Sequence, residues 1–256
     1  MNKIQQLFKR KNQKVLSVYF TAGYPQPDDT GSILQALVDN GVDMIEIGMP
    51  YSDPVADGPV IEHASAIAIA NGMTIKKLFS QLQKLKIDSE VPLLLMGYLN
   101  PVMQYGFEKF CKDASEAGIS GIILPDLPLR EFRTDYMDIV KKYALSFVFL
   151  ITPETSEARI REIDNLSDGF IYAVSSSSIT GRATDQAKKE DYFRRISEMQ
   201  LKNPVVVGFG VRDKETFDQA CRFLNGAISG TAYITQLNEG GKSIEEHTKA
   251  FVEILR

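Results

Sequence analysis

At 256 residues the chain is too long for a peptide scaffold and matches the roughly 250 residues typical of one α/β barrel domain. Hydrophobic residues at 44% and charged residues at 24% are near globular averages, which excludes disordered, collagen-like and low-complexity classes. The net charge of −4 lacks the basic excess of a general nucleic-acid binder.

Ile4, Leu7 and Phe8 form a short apolar face ahead of the first predicted strand, residues 15–21. Ile33, Leu34, Leu37 and Val38 make a helical stripe that stops at Asn40-Gly41, and a strand follows over 44–48. Leu78, Leu82 and Leu85 repeat the helical spacing after Thr74, ahead of a strand over 91–96. Phe107, Phe110, Cys111 and Ala114 mark the next helix, stopped by Gly118, with a strand over 121–124. Phe132, Tyr136, Ile139 and Val140 precede a strand over 146–151. Thr155 or Ser156 caps a helix through Ile160 and Ile163, before a strand over 170–175. Phe193, Ile196 and Met199 lead to a strand over 204–208. Phe217, Ala220 and Cys221 lead to a helix stop at Gly226 and a strand over 227–229. His247, Phe251, Ile254 and Leu255 form the last helical face.

Eight continuous apolar runs without alternation predict strands covered on both faces, as in parallel sheets. Their alternation with helices predicts α/β architecture. A doubly wound sheet wants a Gly-rich fingerprint after its first strand, and Thr21-Ala22-Gly23-Tyr24-Pro25 stands there instead. The prediction is a single (β/α)8 TIM barrel domain over residues 1–256, with the N-terminal helix capping its bottom. Cys111 and Cys221 are two separate thiols, too few for a disulfide framework or a zinc site. No apolar run approaches the ~18 residues of a membrane span, and the basic start is followed by a strand rather than a signal sequence. The expected location is cytoplasmic, without membrane or nucleic-acid partners.

Barrel chemistry sits at the C-terminal ends of the strands. The second strand runs into Glu46-Ile47-Gly48-Met49-Pro50-Tyr51-Ser52-Asp53-Pro54-Val55-Ala56-Asp57-Gly58-Pro59, which holds several acids and no base. With Ile45 and Ile47 facing the helices, Glu46 points into the barrel. A carboxylate there is either hydrogen-bonded as a structural group or serves as an acid–base with a desolvated, raised pKa. Glycines recur at the ends of three later strands: Ser175 to Gly181, Gly208-Phe209-Gly210, and Gly226 to Thr231. Together they predict a phosphate site, since glycine lets backbone N–H groups approach a dianion. Tyr98 and Tyr172 are either core aromatics or site residues. Asp126 is either a helix N-cap or a site residue.

No lysine falls within a strand, so the sequence offers no Schiff-base lysine. His63 and His247 are the only histidines, which disfavours a metal site and a His-based triad.

These residues resemble the tryptophan synthase α-subunit family over essentially the whole chain. The segment from Glu46 to Pro59 carries the resemblance, supported by Thr21-Ala22-Gly23-Tyr24-Pro25, Asn100-Pro101, Pro125-Asp126-Leu127-Pro128, Gly208-Phe209-Gly210 and Ala227-Ile228-Ser229-Gly230. The resemblance implies a carbon–carbon lyase of tryptophan biosynthesis that splits indole-3-glycerol phosphate into indole and glyceraldehyde 3-phosphate. It implies Glu46 as general acid/base, Asp57 as partner of the indole N–H, and Tyr172 as a site tyrosine. Gly181, Gly210, Gly230 and Thr231, with Thr180, are implied at the phosphate. Tyr19, Tyr98, Ile123, Phe209 and Ile228 are expected to complete the substrate site. Thr231 stands where serine is commoner, Tyr19 where phenylalanine is frequent, and serine fills positions 175–178. No cofactor or metal is expected in this chain; pyridoxal phosphate is implied only in a β-subunit partner, within an α2β2 heterotetramer. Docking is expected near Pro50, Pro54, Pro101 and Met103, and a mobile lid over residues 180–190. A free-standing phosphate-binding barrel, or a chain that only activates a β subunit, remain the competing readings.

Overall fold

A computed structural model describes residues 2–85, 90–175, 183–208 and 210–256, with residues 183–186 described by backbone alone. The strands are β1 (Val15–Thr21), β2 (Met44–Gly48), β3 (Leu93–Met96), β4 (Gly121–Ile123), β5 (Ser146–Ile151), β6 (Ile171–Val174), β7 (Val205–Gly208) and β8 (Gly226–Ser229). They close into one parallel barrel in sequence order. The helices are α1 (Lys3–Arg10), α2 (Thr30–Asp39), α3 (Pro59–Ala70), α4 (Ile75–Leu82), α5 (Leu99–Tyr105), α6 (Phe107–Glu116), α7 (Leu129–Glu131), α8 (Met137–Lys142), α9 (Glu157–Leu166), α10 (Ala183–Glu198), α11 (Lys214–Cys221), α12 (Thr231–Leu237) and α13 (Ile244–Leu255). A single π turn over Phe132–Tyr136 joins α7 to α8.

The continuous apolar runs become strands buried on both faces, since the helices cover the outside and side chains fill the inside. Register fixes which residues point inward. Tyr19 pairs with Glu46 and Glu46 with Leu94, so these three share the inner face, while Ile45 and Ile47 face the helices.

The bottom is capped by α1. Asn2 and Gln5 form a capping box, and Asn2 Nδ2 donates to Ser146 Oγ at 2.6 Å, at the start of β5. Ile4, Leu7 and Phe8 are buried, and Ile4 Cδ1 fills the space a Cβ on Gly121 would take. The predicted capping role therefore has a mechanism: a short amphipathic helix of about two turns covers the starts of β4 and β5.

Three helices lie outside the predicted stripes. α3 is alanine-rich and lacks a clean apolar face, yet starts with Pro59 at its first position, where a missing N–H is harmless. α5 tolerates Pro101 because that residue falls within its first turn. α12 starts directly after Gly230, the residue that follows β8. Gly41 and Gly118 do end helices with positive φ, 73° and 79°. Gly226 does not: it opens β8, and a Cβ there would overlap the Val15 carbonyl of the neighbouring strand. The demand for glycine at 226 is close strand packing, not a helix stop. Cys111 and Cys221 are free and buried, and burial pushes both thiols up to about 12. No helix among the described residues is long and apolar enough to cross a membrane.

Candidate active site

Glu46 is 0% exposed on the inner face of β2. Its Oε1 accepts a hydrogen bond from Ser17 Oγ at 3.0 Å, while its Oε2 has no partner among the described residues. Burial pushes its carboxyl from 4.5 up to about 8, against the opposing pull of the Ser17 bond. A carboxyl in this state is protonated at neutral pH, which suits a general acid. Ser17 is a polar residue within a mostly apolar strand, a weaker form of the signal that singled out Glu46.

Asp57 sits on the loop between β2 and α3. Tyr98 Oη donates to Asp57 Oδ2 at 3.1 Å and accepts from the Ala56 N–H at 2.9 Å. Burial raises the Asp57 carboxyl to about 6, with the Tyr98 bond pulling the other way and the charge of Glu62 adding to the rise. Asp57 is therefore mostly ionised at neutral pH, the opposite state from Glu46. Tyr98, predicted among the substrate contacts, here acts on the loop. Its ring packs on Tyr51 with centroids 5.3 Å apart, and Asn100 Nδ2 donates to the Tyr51 hydroxyl at 3.1 Å. The loop after β3 is thus a scaffold for the loop that carries Asp57. Asp126 caps a neighbour's helix rather than its own: both its carboxylate oxygens accept from the Leu99 N–H at the start of α5, at 2.9 and 3.0 Å.

Two tyrosines share the barrel interior with Glu46. Tyr19 and Tyr172 are both buried, and desolvation raises both phenols well above their ordinary value, so each is a neutral hydroxyl. Each lies over a glycine. A Cβ at Gly48 would overlap the Tyr19 hydroxyl, and one at Gly208 would overlap the Tyr172 hydroxyl. Sequence reasoning assigned Gly208, with the other glycines ending the later strands, to phosphate; Gly208 instead makes room for Tyr172, as Gly48 does for Tyr19.

A cavity of about 430 Å³ opens beside these groups. Of the site residues expected from sequence, Tyr19, Asp57, Tyr172, Gly210, Ile228, Gly230 and Thr231 line it, together with Ile61, Met96, Val211, Arg212, Gln236 and Glu239. Ile123 is paired with Met96 on the inner face but does not line the cavity. Gly230 lies close under Tyr19, whose Cβ would be 3.2 Å from a Cβ there. Thr180, Gly181 and Phe209 lie outside the described residues, as does the first part of the predicted lid; from Ala183 onward that polar stretch is the start of α10. Among the described residues no three His, Cys, Asp or Glu side chains form a metal-binding group.

The sequence model of the tryptophan synthase alpha chain matches residues 5–256. The tryptophan synthase alpha chain of Phocaeicola vulgatus is 48% identical over all of both chains. That of Flavobacterium psychrophilum is 52% identical over 95% of this chain and 96% of its own. The crystal structure of the alpha subunit from Legionella pneumophila superposes with a TM-score of 0.90 at 34% identity, covering 100% of this chain and 97% of that one. The chain belongs to the tryptophan synthase alpha chain family. A chain in a tryptophan synthase structure from M. tuberculosis, in its aminoacrylate-bound form, superposes with a TM-score of 0.86 at 29% identity and covers 98% of that chain.

Proposed function

We propose that this chain is the lyase of a tryptophan synthase, cleaving indole-3-glycerol phosphate to indole and glyceraldehyde 3-phosphate for a β-subunit partner. The observation that carries the reading is Glu46: wholly buried, with one oxygen unpartnered among the described residues and its carboxyl near 8, while Asp57 on the following loop is near 6.

The chemistry divides between them. Protonated Glu46 delivers its proton to indole C3, which makes the ring indoleninium-like. The carbon–carbon bond then breaks, its electrons restore the aromatic ring, and the C3′ hydroxyl becomes the aldehyde. The proton lost from that hydroxyl returns to Glu46, so the acid is regenerated with no net change. Asp57, ionised, receives the indole N–H and stabilises positive charge as it develops at nitrogen, an interaction stronger in the transition state than before it. Tyr19, Tyr172 and Ile228 provide the apolar slot for indole, with Ile123 and Phe209 assigned beside them. Gly210, Gly230 and Thr231, with Thr180 and Gly181, receive the phosphate.

None of these steps calls for a cofactor; pyridoxal phosphate belongs to the β partner's chemistry. The chain acts as one barrel domain in the cytoplasm. Docking uses the loops around the barrel mouth, where Val55 is 87% exposed beside Pro54 and where Met103 is also exposed.

The test is indole release from indole-3-glycerol phosphate by the purified chain, with and without a β subunit, beside Glu46→Gln. The expected result is release that the partner accelerates and the variant abolishes. Absence of release from the folded wild-type chain under both conditions refutes the lyase reading.

A further inference from the structure

We propose that Lys189, reaching from α10 over Gly210, supplies the positive charge that holds the substrate's phosphate. The inference rests on the lyase reading above and adds to it a residue from outside the strand-end glycines.

The need for such a charge is visible in the cavity. Among the described residues its lining includes the carboxylates of Asp57 and Glu239 and one cation, Arg212. Arg212 is exposed and turned onto Asp213, with Nε 3.4 Å from Oδ2. A phosphate dianion entering this lining meets more negative than positive charge, and backbone amides supply only partial charges in return.

A second recess of about 190 Å³ lies behind the first, between the ends of β6 and β7 and the faces of α10 and α11. Ser175, Lys189, Phe193 and Thr216 are among its walls, and it shares Gly210 and Val211 with the main cavity. Lys189 stands at that junction. A Cβ on Gly210 would lie 3.7 Å from Lys189 Nζ and 4.0 Å from Ser175 Oγ. Gly210 has φ +80°, a conformation L side chains rarely adopt, so a side chain there would be strained.

Among the described residues Lys189 has no ion pair or hydrogen bond, whereas its neighbour Glu190 is held by Arg194 at 3.3 Å. Lys11, Lys14 and Lys142 are each bound to a carboxylate. A lysine ammonium is a compact charge on a flexible stem, able to follow a phosphate into place, and its charge-assisted bonds to phosphate oxygens are strong.

The test separates phosphate binding from chemistry. Binding of glycerol 3-phosphate, which carries the phosphate without the indole, is measured by calorimetry at low and moderate salt for wild type, Lys189→Met and Lys189→Arg. Indole-3-glycerol phosphate turnover is measured beside it. Loss of one charge-assisted contact is expected to weaken glycerol 3-phosphate binding roughly tenfold in Lys189→Met and to reduce its salt dependence. KM for the full substrate rises by a similar factor, more than kcat falls, and Lys189→Arg retains most of the binding. The half-exposed side chain predicts a nearly unchanged thermal midpoint. If wild type turns over substrate and Lys189→Met binds glycerol 3-phosphate within about twofold of it, the role of Lys189 is refuted and the lyase reading stands. If Lys189→Arg loses as much as Lys189→Met, charge is not what the residue provides, and the inference likewise fails. A wild-type chain that releases no indole refutes the lyase reading and this inference together.

Discussion

Glu46→Gln is expected to stabilise the native chain at neutral pH while it removes indole release. In the folded chain burial holds the Glu46 carboxyl near 8, and in the unfolded chain it returns to about 4.5. Between those values unfolding releases a proton, so rising pH favours the unfolded state. A carboxyl with a raised folded pKa contributes its full stability below 4.5 and loses it progressively up to 8. Glutamine does not titrate, and its Oε1 can accept from Ser17 Oγ as Glu46 does at 3.0 Å. Each pH unit is worth about 1.4 kcal/mol, so the variant gains about 3 kcal/mol on wild type between pH 4.5 and 7. Above pH 8 the gain levels off near 5 kcal/mol. The chain has no tryptophan, so urea midpoints are read by far-ultraviolet circular dichroism, for both proteins, from pH 5 to 9. A stability difference that stays constant across that range refutes the reasoning: Glu46 would then be ionised in the native chain, and its role as an acid would go with it.

The same two carboxyls set the pH profile of turnover. Asp57 must be ionised and Glu46 protonated, so kcat/KM is expected to peak between about 6 and 8, falling on the acid side with Asp57 and on the basic side with Glu46; a monotonic profile refutes the assignment. Tyr98→Phe removes a hydrogen bond to ionised Asp57, so the acid limb moves to higher pH and kcat/KM falls roughly tenfold or more, whereas an unmoved limb leaves Tyr98 as loop packing only. Gly48→Ala and Gly208→Ala drive a methyl into the Tyr19 and Tyr172 hydroxyls; each is expected to destabilise by about 1–3 kcal/mol and to lower turnover, as urea midpoints and indole assays will show.

The barrel was readable because parallel strands buried on both faces leave continuous apolar runs, and eight such runs admit few architectures. Glu46 was readable for the converse reason: a charge within such a run has no cheap structural excuse. Less legible were features whose cause lies on another strand. Gly208 reads as half of a phosphate motif, and only the packing of Tyr172 over it gives its reason. Gly226 reads as a helix stop, and only the Val15 carbonyl across the β1–β8 seam explains it. Tyr98 reads as a site aromatic, and its bond to Asp57 spans 41 positions of sequence. Lys189 carries no sequence signal, since a lysine on a polar helix is the ordinary solvated case; its place beside Gly210 exists only in the folded chain.

The raised pKa of Glu46 has a second consequence, for binding. The cavity already carries Asp57 and Glu239, and its ligand brings a phosphate dianion. A third carboxylate ionised in the buried interior would repel that dianion in a medium that screens poorly. Holding Glu46 neutral therefore serves the entry of substrate as well as the transfer of its proton. Ionisation above pH 8 then affects two parameters, not one. kcat falls because the acid has lost its proton, and KM rises because the pocket has gained a negative charge. The rise in KM should weaken as salt screens the mouth of the cavity, whereas the fall in kcat should not respond to salt. In Glu46→Gln, which has no charge to gain, the affinity for glycerol 3-phosphate is expected to stay level from pH 7 to 9 while that of wild type declines. Equal decline in both proteins would show that the lost affinity comes from a group other than Glu46.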